Sequence, residues 1–155
     1  MKKIFTILLI LVLISLFVFI LFLNRKIEIS NLKYLNLYYS GGYDIYGYSY
    51  YKINYENGNY KLIIKPYGVS NEEEKEYDFN KDDVIKIEEI LNKYNVGSWD
   101  GFNKYDNNVL DGSSFNFNVK YKDDKEINAK GYMIYPKNYH EVMNELNMIF
   151  SKYEE

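Results

Sequence analysis

Twenty consecutive residues, Ile4 to Leu23, carry no charge. At 1.5 Å per helical residue they extend about 30 Å, the thickness of one hydrocarbon core, so the run predicts a membrane-spanning helix. Lys2 and Lys3 in front of it would also suit a cleavable signal peptide. A signal h-region, however, covers about 7–15 residues and ends on small side chains, whereas Phe22-Leu23-Asn24-Arg25-Lys26 offers neither Ala nor Gly. The pattern favours an uncleaved signal anchor over residues 1–26, followed by a single domain over residues 27–155. Basic residues flank both ends of the run. With the amino terminus counted beside Lys2 and Lys3, the small bias predicts a cytoplasmic N-terminus and an extracytoplasmic domain.

Beyond a short polar exit, Leu35, Leu37 and Tyr39 alternate onto one face, as a first strand requires. Ile45 to Ile53 and Tyr60 to Tyr67 are rich in aromatic and β-branched residues, and Asn57-Gly58 between them predicts a hairpin. Pro66 belongs at an edge or strand end. Glu72, Glu73, Glu74 and Glu76 read as a solvated loop rather than a metal cluster, because adjacent like charges do not converge on one ion without a turn framework.

Lys75 to Phe79 is a further short strand, and Asn80 predicts the cap of a helix from Lys81 to Tyr94, with Val84, Ile87, Leu91 and Tyr94 on its apolar face. Gly97 is expected to terminate it. Phe115, Phe117, Val119 and Tyr121 alternate with Asn116, Asn118 and Lys120, the clearest amphipathic strand of the chain. Asp123-Asp124 turns it, and Glu126 to Met133 returns as its partner with Ile127, Ala129, Gly131 and Met133 on one face. Pro136 and Asn138 open a last helix whose stripe is Tyr139, Val142, Met143, Leu146, Ile149, Phe150 and Tyr153. The expected class is α+β: an N-terminal transmembrane helix, then an antiparallel sheet with two amphipathic helices on one face.

Composition narrows the chemistry. The domain carries 22 acidic and 15 basic residues, a net charge of −7, which disfavours nucleic acid as a partner. Cysteine is absent, which removes disulfides, thiolate ligands, thiol nucleophiles and lipoprotein anchoring. The 19 tyrosines and 19 asparagines, beside one Ala and no Gln, follow from A+T-rich codons without any need for a tyrosine-built binding surface.

Few motifs point to a reaction. Asp106-x-Asn108-x-x-Asp111-Gly112 hints at calcium, but an EF-hand needs ligands at positions 1, 3 and 5, Gly at 6 and Glu at 12, and counting from Asp106 position 5 is Leu110, Gly112 falls at 7 and position 12 is Phe117, so an Asx turn is the better reading. His140, the sole histidine, has no Cys to activate and no second His for zinc, and reads as a helix-surface residue. No phosphate loop or dinucleotide fingerprint occurs. No metal or cofactor is implied.

Trp99 with Phe102 forms either an exposed stacking platform or a plug closing the core, and average Trp burial favours the plug. Tyr46, Tyr48 and Tyr50, with Tyr43, make one face of a strand a tyrosine ladder, which is core under a helix and a binding surface if left open.

Ser98-Trp99-Asp100-Gly101-Phe102, Leu110-Asp111-Gly112-Ser113-Ser114-Phe115 and Gly131-Tyr132-Met133-Ile134-Tyr135-Pro136 share their spacing with one group of sequences. Over residues 98–150 the chain resembles uncharacterised bacterial proteins, often membrane-anchored or lipoprotein-like, of low-GC Gram-positive type. Asp123-Asp124 stands where that group has Asp-Gly. The resemblance implies a membrane-associated envelope protein and assigns no functional residue.

The expected function is that of a non-enzymatic, single-pass envelope protein. It would be held in the bilayer by residues 4–23 and would bind a protein or an envelope polymer through Trp99, Phe102, Tyr46, Tyr48 and Tyr50. The alternatives are an accessory or regulatory subunit on the cytoplasmic side and a hydrolase using Asp100, Asp106 and Asp111.

Overall fold

The computed structural model describes residues 10–17, 27–41, 48–66 and 74–154. Residues 10–17 are helical (α1), with every side chain exposed. The predicted membrane span at 4–23 lies largely outside the described residues, and among those described no helix is long and apolar enough to cross a membrane.

The rest follows the order β1 (Tyr34–Gly41), β2 (Tyr48–Glu56), β3 (Asn59–Lys65), β4 (Lys75–Phe79), α2 (Lys81–Lys93), β5 (Asn103–Tyr105), β6 (Ser113–Tyr121), β7 (Lys125–Tyr132) and α3 (Tyr139–Phe150). The class is α+β. Seven strands form one sheet in the order β4-β3-β2-β1-β6-β7-β5. Every pairing is antiparallel except β5 with β7, so the sheet is mixed where alternation predicts a purely antiparallel one. Strand β5 was not expected at all: Asn103, Lys104 and Tyr105 are all exposed and carry no apolar period.

Register sorts the apolar residues onto one face. Ile127, Val119, Leu35, Ile53 and Leu62 stand opposite one another across five strands, and Ala129, Phe117, Leu37, Tyr51 and Ile64 form the next row. Apart from the half-buried Tyr51, both rows are buried. Helix α2 adds Val84, Ile87, Ile90 and Leu91 to this core, and α3 adds Val142, Leu146, Ile149 and Phe150. Phe150 stacks on Tyr51 with ring centroids 4.4 Å apart, an arrangement that adds to simple area burial.

The turns are locally encoded. Asn57 and Gly58 have φ of 52° and 87°, the backbone of a two-residue hairpin loop. Asp123 and Asp124 also take positive φ, at 59° and 56°, a conformation that short Asp side chains tolerate. Asn80 caps α2 by accepting from the Asp82 N–H at 2.9 Å.

Two expectations need correction. The left-handed residue ending α2 is Asn95, with φ 53°, and not Gly97. Gly97 sits in the 3₁₀ turn Val96–Trp99 because a Cβ there would lie 2.5 Å from Cβ of Ile27. Met133 is not on the inner face of β7: its φ of 56° swings it off the strand, which ends at Tyr132.

The segment entering the domain is docked. Ile29 and Leu32 are both 1 % exposed. The Asn92 side chain holds both peptide groups of Ile29, accepting from its N–H at 2.8 Å and donating to its carbonyl at 2.7 Å. Glu88 accepts the Leu32 N–H at 2.7 Å. Residues 27–33 therefore lie along α2 at the sheet end that carries the Asn57-Gly58 and Asp123-Asp124 turns.

Candidate binding cleft

At the opposite end of the sheet a third row follows the two buried ones: Gly131, Phe115, Tyr39 and Ser49. Helix α3 leaves this row only partly covered. Phe115 is buried under Tyr139, but Tyr39 is 38 % exposed. The result is a cleft of about 460 Å³, within the range of small-ligand sites. Leu37, Tyr39, Ser49, Tyr51 and Ser113 form its sheet side; Tyr135, Tyr139, His140, Met143 and Asn147 form its helix side.

Local sequence accounts for the walls. Gly131 has no room for a side chain: a Cβ would overlap the Ile134 carbonyl and lie 2.7 Å from the Phe115 ring. That space lets the chain turn after β7 and bring Tyr135 over the sheet, 5.6 Å from Phe115 and 4.7 Å from Tyr139. Tyr135 is pinned through its hydroxyl, 2.6 Å from Ser113 Oγ. Tyr132 ties the preceding loop, accepting from the Gly112 N–H at 2.7 Å and donating to the Val109 carbonyl at 3.1 Å.

Among the described residues that line the cleft none is Asp, Glu, Lys or Arg. Burial, with the neighbouring Tyr135 and Tyr39 phenols, pushes the Tyr139 phenol far above the ordinary tyrosine range. Burial and the acceptor Glu154, 2.7 Å from its hydroxyl, do the same to Tyr51. Both remain protonated donors at any physiological pH. His140 is exposed, with its ring 5.0 Å from Tyr135 and 5.4 Å from Tyr139.

The residues expected to form a site are not gathered here. Trp99 is 1 % exposed, sits edge-on to Phe117 at 5.2 Å and donates from Nε1 to the Lys137 carbonyl at 3.1 Å. It is the plug and not the platform. Phe102 is half-buried beside Phe115, with Lys104 Nζ 5.6 Å from its ring centre. Tyr46 lies outside the described residues. Tyr48 begins β2 opposite Ser40, and Tyr50 stands opposite Tyr38 and Lys65 on the outer sheet face, where its hydroxyl donates to Glu74. Tyr34, Asn36, Tyr38, Lys52 and Ile63 share that face, which no described helix covers.

The carboxylates are engaged locally. Asp100 accepts the Asn128 N–H at 3.0 Å, and Asp106 accepts the Asn108 N–H at 3.0 Å in an Asx turn. Among the described residues no three His, Asp or Glu side chains are placed to hold a metal ion. Sequence reading missed Tyr39, Ser113 and Tyr135 and assigned Tyr139 to the helix core; the available signal was the aromatic cluster Tyr135-Pro136 to Tyr139-His140 at the helix start. The chain matches no family model and no curated protein.

Proposed function

We propose that residues 27–155 form a non-enzymatic binding domain, held at a membrane surface by the apolar segment 4–23, and that the cleft between β1, β2 and α3 is its ligand-facing site. One observation carries this reading. The docked segment 27–33 enters β1 at Tyr34, at one end of the sheet, whereas the cleft is lined from Leu37 and Tyr39 toward the other end, roughly 10–17 Å farther along the strand. A chain emerging from a bilayer next to Ile27 would present the cleft on the side away from the lipid.

The character of the cleft supports binding rather than catalysis. Among the described residues its side-chain polar groups are hydroxyls, one amide and one imidazole. His140 packs against the phenol rings of Tyr135 and Tyr139, an aromatic rather than an ionic setting. The envelope location rests on the same charge counting that orients the segment.

Single cysteines test both halves, since the native chain has none. Met148→Cys lies on the flank of α3 facing α2, and His140→Cys lies on the exposed cleft rim. In intact cells stripped of their wall, a membrane-impermeant maleimide is expected to label Met148→Cys readily. His140→Cys should label more slowly in cells than in purified protein, because the cleft is occupied. Labelling of neither until lysis would place the domain in the cytoplasm and favour the accessory-subunit reading. Equal labelling of both would remove the cleft as the site.

A further inference from the structure

We infer that the ligand of this cleft is an uncharged glycan, bound through its hydroxyl groups and one apolar ring face. The inference rests on the binding-domain reading and goes beyond it by naming the ligand chemistry.

Tyr139 stands at the cleft with its hydroxyl unpaired among the described residues. Its side chain is 5 % exposed, yet among the described residues no hydrogen bond reaches its hydroxyl, although nearly every buried polar group in a folded protein finds a partner. No side-chain nitrogen or oxygen among the described residues is both sealed from solvent and unpaired. The Tyr139 oxygen therefore keeps contact with water, and the cleft it lines is where that contact lies. A buried phenol held ready at the floor of a cleft is a donor and an acceptor awaiting a partner.

The polar groups on offer belong to side chains and not to the main chain. Main-chain groups are already spent: Tyr39 is paired with Ser49 on one side and Phe115 on the other. An extended peptide, which is bound chiefly through backbone hydrogen bonds along a free strand edge, finds no edge here. What the cleft presents instead is side-chain hydroxyls, from Tyr39, Ser49 and Tyr139, with the amide of Asn147. Those groups match the closely spaced hydroxyls of a sugar.

Charge and aromatic surface point to the same ligand. Among the described residues the lining carries no carboxylate, ammonium or guanidinium to meet an ionic ligand. Tyr39 and the half-buried Tyr135 add aromatic surface, against which the C–H face of a pyranose packs while its edge hydroxyls reach the surrounding donors. This division between an apolar wall and a few placed polar groups is the usual design of a small-ligand site.

The lone tryptophan is a native reporter, because the Trp99 ring lies 5.9 Å from Tyr139. The full chain in detergent micelles is titrated with uncharged tetrasaccharides of N-acetylglucosamine, glucose, galactose and mannose, with an oligogalacturonate as anion and an uncharged peptide as controls. At least one neutral sugar is expected to bind saturably, by Trp99 emission and by calorimetry. Tyr139→Phe, which keeps the ring and removes one hydrogen bond, should weaken it about tenfold. Tyr39→Ala should weaken it at least as much, and Tyr50→Ala on the outer face should leave it unchanged. Unaltered thermal melting of Tyr139→Phe excludes a folding defect.

Failure of every neutral sugar to bind, tighter binding of the anion or the peptide, or affinity indifferent to both cleft substitutions would overturn the assignment. A cleft protected in cells in the cysteine experiment but silent to all the sugars would end the glycan and leave the binding domain standing. An unprotected cleft would remove the binding domain itself.

Discussion

Asn92 grips Ile29 by both of its peptide groups, through hydrogen bonds of 2.8 and 2.7 Å made by one side-chain amide. A helix residue thereby fixes the segment that leads into the domain, and does so on a side chain that is 1 % exposed. Asn92→Ala would leave the N–H and carbonyl of Ile29 without partners in a site poorly reached by water. The expected cost is about 2–3 kcal/mol, since each orphaned group loses a bond and pays desolvation. Urea unfolding measures it, and hydrogen exchange at the Ile29 amide should accelerate more than exchange in β6. Unchanged protection at Ile29 would mean that the clasp is not formed in solution.

Trp99 closes the core between α2, β6 and α3. Its emission is expected to be blue-shifted and hardly quenched by iodide, because 1 % of the residue is exposed. Trp99→Ala should destabilise the domain by about 3–5 kcal/mol, the range for emptying a buried aromatic site. A red-shifted, readily quenched tryptophan would restore the stacking-platform reading.

Asp83 ties the start of α2 to the C-terminal turn. It is 6 % exposed and accepts from Lys86 at 3.0 Å, Lys152 at 3.2 Å and the Tyr153 hydroxyl at 3.0 Å. Burial by itself raises its pKa, but the three donors outweigh burial and hold the carboxyl below its ordinary value of 3.8. A carboxylate with a depressed folded-state pKa contributes stability that is complete above its unfolded pKa and fades as pH falls through the folded value. Asp83→Asn should therefore cost about 2 kcal/mol at neutral pH, and wild-type and variant melting temperatures should converge below about pH 4. A gap that persists at pH 2 would assign the loss to packing and not to charge.

Gly131 is where the third row of the sheet makes room for the cleft wall. Gly131→Ala drives a methyl into the Ile134 carbonyl and to 2.7 Å from the Phe115 ring. Overpacking of this kind costs about 1–3 kcal/mol, and the displacement should also break the 2.6 Å contact between Ser113 and Tyr135. The altered environment of the Tyr135 and Tyr139 rings is read by aromatic proton shifts. Unshifted rings in a folded variant would mean that the wall does not depend on this glycine.

Much of this architecture is legible in local pattern. Asn57-Gly58, the alternation from Phe115 to Tyr121, the Asn80 cap and the stripes of α2 and α3 each act within a few residues, and each appears where the pattern places it. Strand β5 is invisible to that logic, because three exposed residues at an edge take their structure from β7 and not from their own period. Gly97 misled for a related reason: a glycine just past a helix suggests a left-handed turn, whereas here it is small to admit Ile27. The cleft is less legible still. Its walls come from β1, β2, the start of β6, the turn after β7 and α3, and it exists only because α3 covers two rows of the sheet and leaves the third partly open.

The most direct test of a ligand-binding cleft on a membrane-held domain is site-specific photocrosslinking in intact cells. A photoreactive residue is placed at His140, on the cleft rim, and separately at Met148, on the opposite flank of the same helix and 71 % exposed. The account predicts a discrete adduct from His140, lost on Tyr39→Ala, and no matching adduct from Met148. Identical adducts from both positions, or an adduct from His140 that survives Tyr39→Ala, would contradict it.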